Sequence, residues 1–197
     1  MDSERFDRQL NFIVEIDKEK NILRQTHLTG HGRQENDAEH AWHMAVMAYL
    51  LREYANREID LAKTMMMILI HDIVEIDAGD TYAYDEELKK SQAEREKKAA
   101  DRLFGMLPED QGLELRALFE EFEACETPEA QFAATMDNFQ PLLLNHQNGG
   151  SDWLEHGVRR SQIEARNEKT MKGSVYIREY LQKIIDAHVS SGEIRDE

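Results

Sequence analysis

Cysteine is nearly absent. Cys125 stands alone among 197 residues, so no internal disulfide can form, and a cytoplasmic location is the simplest reading. Long apolar runs are missing too. No stretch reaches the roughly 18 apolar residues that a membrane-spanning helix needs, so no membrane association is expected. The opening residues Met1-Asp2-Ser3-Glu4-Arg5 lack the basic-then-apolar pattern of a signal peptide. Basic charge is in deficit, with 24 Lys and Arg against 40 Asp and Glu and a net charge of −16. No basic run stands out, so polymeric nucleic acid is not an expected partner. A small phosphate ester stays open, because a metal ion and a few arginines can reverse the local field.

Breakers are scarce as well. Three prolines and ten glycines, set in much Ala, Glu, Leu, Lys, Arg and Met, point to an all-α protein. The length suits one domain with its own core, and no repeat, linker or composition shift divides residues 1–197. Periodicity predicts helices at about 4–18, 37–54, 60–76, 86–104, 109–123 and 128–146, and a long final one at about 158–188. The first carries Phe6, Leu10, Ile13 and Val14 on one side. Residues 19–35 read as loop, around Thr29-Gly30-His31-Gly32. No segment shows strand alternation. Asn36 or Asp37 can cap the second helix. The charge run within 86–98 reads as a solvated face.

Polar groups of one kind recur on the apolar faces. His71-Asp72 sits inside Met-Ile-Leu-Ile-His-Asp-Ile-Val-Glu-Ile. Adjacent helical residues diverge by about 100°, so both cannot escape to one solvent face. Burying an imidazole and a carboxylate without partners costs several kcal/mol. A divalent metal compensates for it, since both groups are good ligands. His40 heads the apolar stripe His40, Met44, Met47, Leu51 of the preceding helix. Asp137 follows Ala130 and Ala134 at helical steps. Two His and two Asp from three helices make a mixed site that can leave positions open for water and substrate. Glu75, one turn after His71, is placed to act on that water. Asp80, after Gly79, falls at the rim. A His-Asp pair alone is common by chance, and a lone inward His or Asp is usually structural. The combination carries the argument.

The run Glu35-Asn36-Asp37-Ala38-Glu39-His40, then His71-Asp72-Ile73-Val74-Glu75 with Gly79-Asp80-Thr81, then Asp137, resembles the HD-domain metal-dependent phosphohydrolase superfamily, in its 5′-deoxynucleotidase branch. The resemblance covers about residues 8–160 with the blocks in order. It implies an HD-domain bundle of about six to seven helices with the last packed on it. It implies that His40, His71, Asp72 and Asp137 bind one divalent transition metal (Mn, Co, Ni, Fe or Zn, with Mg fitting less well). It assigns Glu75 to the attacking water and Asp80 to the nucleotide pocket and to activity. The family's phosphate-binding arginine matches Arg24, and Arg33 matches a second basic position that supports phosphate or braces the loop. Gln25 follows Arg24 where the deoxynucleotidases carry Trp, and the loop to Glu35 is one residue longer.

The implied activity is hydrolysis of a small phosphorylated substrate, a (deoxy)nucleoside 5′-monophosphate, by a homodimer. The alternatives are another superfamily chemistry on a triphosphate, a cyclic nucleotide or an alarmone, and a metal-stabilised nucleotide-sensing module without turnover. Glu75 and Asp80 beside the four ligands favour turnover.

Overall fold

The computed structural model describes residues 3–81, 83, 84 and 86–197, the side chains of 86–89 excepted. Part of the expected charge run, Glu86, Glu87 and Lys89, therefore lies outside the described side chains. Among the described residues the regular elements are helices apart from one short ribbon, and no helix is long and apolar enough to cross a membrane.

Helix α1 (Ser3–Ile16) runs into a 3-10 turn at Asp17–Asn21. Its stripe of Phe6, Leu10, Ile13 and Val14 faces solvent, and Phe12 is the side chain that enters the core. Next, where the sequence read as loop, come β1 (Leu23–His27) and β2 (Gln34–Asn36), paired antiparallel with an irregular register. The ribbon is polar, so no hydrophobic alternation announced it. Distant side chains hold it: His27 N and Nδ1 reach the Asp152 carboxylate at 3.1 and 2.9 Å, and Asn148 bonds Gly30 N, His27 O and Leu28 O.

Helix α2 (Asp37–Leu51) starts on a capping box, in which Asn36 Oδ1 accepts from Glu39 N and Glu39 Oε2 accepts from Asn36 N. The expected helix at 60–76 is broken at its most polar point. It divides into α3 (Leu61–Ile70), a 3-10 turn at His71–Val74 and α4 (Glu75–Ala78). His71 Nδ1 lies 2.7 Å from the Ile68 carbonyl, an acceptor that a regular helix gives to the amide four residues on, and the winding tightens there.

Helices α5 (Glu86–Phe104), α6 (Glu109–Ala124) and α7 (Pro128–Gln147) fall where periodicity put them. The expected long final helix is instead α9 (Arg160–Thr170) and α10 (Val175–Ser191), preceded by a short α8 (Ser151–His156). The break sits at Gly173, whose backbone presses on α7 so closely that a Cβ would lie 2.5 Å from Gln131 O and Phe132 Cα. Ser174 then caps α10 by accepting from Ile177 N.

Helices α2, α3 and α7 pack on one another at the centre, with α6 against α3 and α7, and α9 and α10 against α7. Their apolar faces, including Met44, Met67, Ile68, Phe132, Met136, Ile163 and Leu181, make the main core. A second cluster joins α1, α5, α6 and the His71–Val74 turn through Phe12, Ile73, Leu103 and Phe119. The turn bearing His71 and Asp72 thus lies where the two clusters meet.

Candidate metal centre

His40 lies one turn inside α2 and is fully buried. Its Nδ1 faces Gln140 Oε1 at 2.9 Å, and the Gln140 amide donates to Glu35 Oε1 at 2.6 Å. The proton on Nδ1 therefore goes to the amide oxygen. That leaves Nε2 as a lone pair, yet it faces Asp137 Oδ1 at 3.1 Å. His71 repeats the pattern. Its Nδ1–H donates to Ile68 O, and its Nε2 lies 3.1 Å from Asp72 Oδ1 and 3.8 Å from Asp137 Oδ1 without a hydrogen bond to either.

Two imidazole nitrogens thus confront two carboxylates with no proton assigned between them. A cation or extra protons must fill that place. His40, His71 and Asp72 each offer a ligand atom within 4.8 Å of one another, and Asp137 stands beside both imidazoles. Fixing the outer nitrogen of each His on a carbonyl is how metal-ligating histidines are oriented. Asp37 Oδ2 and Glu75 Oε2 are further buried oxygens without partners. The donor set fits a divalent transition ion.

The protonation states express the same charge imbalance. Burial alone would depress both imidazoles, but the carboxylates around them outweigh it, and both are raised, His71 well above the usual range. Burial opposes the ionised forms of Asp72 and Asp137, yet His71 and Arg24 hold Asp72 low, and the two imidazoles hold Asp137 low. Glu75 is 8% exposed. Burial, then the charges of Asp72 and Asp37, push its carboxyl up to about 11. A divalent ion works in the opposite direction.

A model of the HD domain matches residues 16–177. The chain belongs to the HD-domain family. A human protein named 5′-deoxynucleotidase HDDC2 is 31% identical over 130 residues, 66% of this chain and 61% of that protein. A protein of the same name from Dictyostelium discoideum is 30% identical over 132 residues, 64% of this chain and 70% of that one. The HD-domain chain thus spans about three fifths of the human relative. A crystal structure described as a predicted metal-dependent phosphohydrolase from Magnetospirillum magnetotacticum MS-1 superposes with a TM-score of 0.92 at 48% identity, covering 97% of this chain and 96% of that one. An HD-domain phosphohydrolase from Listeria innocua, 19% identical with a TM-score of 0.58, shares the fold.

A cavity of about 180 Å³ opens beside this HD-domain centre. His71, Asp72, Glu75, Asp80, Asp137 and Arg24 all line it, and His40 lies behind them. Burial pushes the Asp80 carboxyl up against the pull of Arg24. Gln25, the neighbour of Arg24, is also on the wall.

Two expectations look different in place. Arg24 Nη1 already donates to Asp72 Oδ2 at 2.8 Å and to Asp37 Oδ1 at 3.1 Å. Arg33 is not brought to the cavity. It is 58% exposed and braces the loop by pairing with Glu39 and donating to Gln34 O.

Three residues escaped the sequence reading. Gln140 orients His40, Asp37 shares Arg24, and Arg166 on α9 reaches Asp137 Oδ2 at 3.3 Å. Gln140 gave a signal, since it lies three residues after Asp137 on the same side of α7. His43 Nδ1 lies 3.2 Å from the Gln140 amide nitrogen.

Proposed function

We propose that this chain is a divalent-metal-dependent phosphohydrolase that removes phosphate from a small nucleotide, a (deoxy)nucleoside 5′-monophosphate. The observation that carries the reading is the set of imidazole nitrogens and carboxylate oxygens that face one another on His40, His71, Asp72 and Asp137, opening onto a cavity that Glu75 also lines. The names of the relatives support the substrate class.

Bound there, a transition ion such as Mn, Co, Ni, Fe or Zn supplies Lewis-acid polarisation and a more acidic water. The chain supplies the rest. Glu75 Oε2, buried and without a partner, orients the attacking water and takes its proton. Arg24 offsets the negative charge of Asp72 and Asp37 and presents its positive field to the phosphate. Asp80 forms part of the wall that receives the nucleotide. The walls bring the ester bond and the water together, and orientation of this kind lowers a barrier by several kcal/mol. A homodimer in the cytoplasm completes the proposal. The exposed Trp42, Val46, Tyr49 and Leu50 on α2, with the stripe on α1, support self-association.

The test is a phosphate-release screen of nucleotides with Mn, Co, Ni, Zn and Mg, beside an Asp72→Ala control, with light scattering for the mass. Metal-dependent release that the control lacks is the expected result. No release from any nucleotide would leave a metal-stabilised sensing module.

A further inference from the structure

We propose that Arg166 is a second arm of the phosphate subsite, binding a phosphoryl oxygen through the Nε edge of its guanidinium; this rests on the phosphohydrolase reading above. The need for such a group follows from the charge of the cavity. Its described wall carries seven carboxylates, Asp72, Glu75, Asp80, Glu96, Glu123, Asp137 and Asp152, against two guanidiniums, Arg24 and Arg166, and no lysine. A phosphate dianion entering so acidic a wall gains from every guanidinium that faces it beside a divalent ion. Arg24 already commits its Nη1 to Asp72 and Asp37, so part of its charge is offset before an anion arrives.

Arg166 is placed differently. Its Nη2 reaches Asp137 Oδ2 at 3.3 Å, a long contact for a charged pair. Its Nε is buried and has no hydrogen-bond partner. Nε–H and Nη2–H lie on one edge of the guanidinium, the edge that forks onto carboxylates and phosphates. Half of that fork is thus without a partner on a side chain that lines the cavity.

The arm is also held in place. Arg166 lies between Ile163 and Asn167 on the inward side of α9, both buried. Asn167 Oδ1 accepts from Asn138 Nδ2 at 2.6 Å. That bond joins the residue after Arg166 to the residue after Asp137, so helix packing sets the approach of the two side chains. A guanidinium fixed in this way loses little freedom on binding an anion.

The competing role is that Arg166 only positions Asp137. The two are separated by loading full-length wild type, Arg166→Ala and Arg166→Gln with Mn²⁺, measuring metal content, and titrating inorganic phosphate calorimetrically. The KM for a nucleoside 5′-monophosphate is measured beside them. A lost charge-assisted hydrogen bond corresponds to about 10- to 100-fold in affinity. Both variants are expected to keep the metal, to weaken phosphate binding by that factor and to raise KM in parallel. Arg166→Gln retains an N–H for Asp137 and carries the test if Arg166→Ala loses metal. Phosphate affinity within about twofold of wild type in a metal-loaded Arg166→Gln overturns the proposal. Loss of metal from both variants overturns it too, and makes Arg166 a positioning residue. Phosphate binding by wild type without turnover of any nucleotide would refute the enzyme reading and leave this one standing.

Discussion

Replacing Gln140 by Leu removes the support of a ligand without touching the ligand. The side chain is fully buried and makes three contacts: His40 Nδ1 at 2.9 Å, Glu35 Oε1 at 2.6 Å and His43 Nδ1 at 3.2 Å. Leucine is of similar size, so the loss is polar rather than steric. It strands the Nδ1–H of His40 and an oxygen of Glu35 in the interior. Each of the two stranded groups costs about 1–3 kcal/mol, which gives about 2–6 kcal/mol of stability. The other oxygen of Glu35 already lies 3.5 Å from His40 Nδ1 and can turn to accept from it, so the lower end of that range is expected. For the metal, losing the group that fixes ring and tautomer costs about 10- to 100-fold in affinity, or about 1.4–2.7 kcal/mol. The assay is a chelator-competition titration, followed by turnover at saturating metal. Weakened binding with turnover restored at high metal is the expected pair of results. An affinity within about threefold of wild type would refute the reasoning, and so would lost turnover that excess metal cannot restore.

Glu75→Gln is expected to keep its metal and to lose turnover by about 10²- to 10⁴-fold, the usual weight of a positioned base. Loss of metal instead would make Glu75 a ligand. A third prediction concerns Glu19, which is buried beneath the centre with Oε1 unpartnered. Burial, then the charges of Asp72 and Asp37, push its carboxyl from 4.5 up to about 7. A raised carboxyl stabilises the fold below the unfolded value and loses that contribution as pH rises through the folded one. In metal-stripped protein, Glu19→Gln is therefore expected to add about 3 kcal/mol at pH 8 and under about 1 at pH 5. Equal gains in denaturant unfolding at the two pH values would count against it.

The four ligand candidates were legible because each interrupts an apolar phase. His40, His71, Asp72 and Asp137 all occupy positions where a helix of this composition buries something; the structure buries the first three close together and sets the half-buried Asp137 beside both imidazoles. The start of α2 was legible for a local reason, the Asn36–Glu39 capping box. The ribbon was not. Its strands carry no alternating pattern, and its anchors Asn148 and Asp152 lie over a hundred residues away. The tightening at His71 depends on a side chain competing for a backbone carbonyl, which periodicity does not encode. Arg166 was hidden for a similar reason. Read as one long helix, residues 158–188 gave no phase that aimed it inward, and the break at Gly173 supplies that phase only through contact with α7.

The chain order of these groups has a consequence for biosynthesis. Every metal-ligand candidate lies between residues 40 and 137, whereas the helix that brings Arg166 comes last but one. Synthesis runs from the N-terminus, so the ribosome releases His40, His71, Asp72 and Asp137 before α9 and its Arg166 exist. The ribbon waits as well, since Asn148 and Asp152 emerge more than a hundred residues after the strands they hold. An ion captured early would neutralise the buried carboxylates while the rest of the wall is still being made, and Arg166 would meet Asp137 only when α9 has closed onto α7.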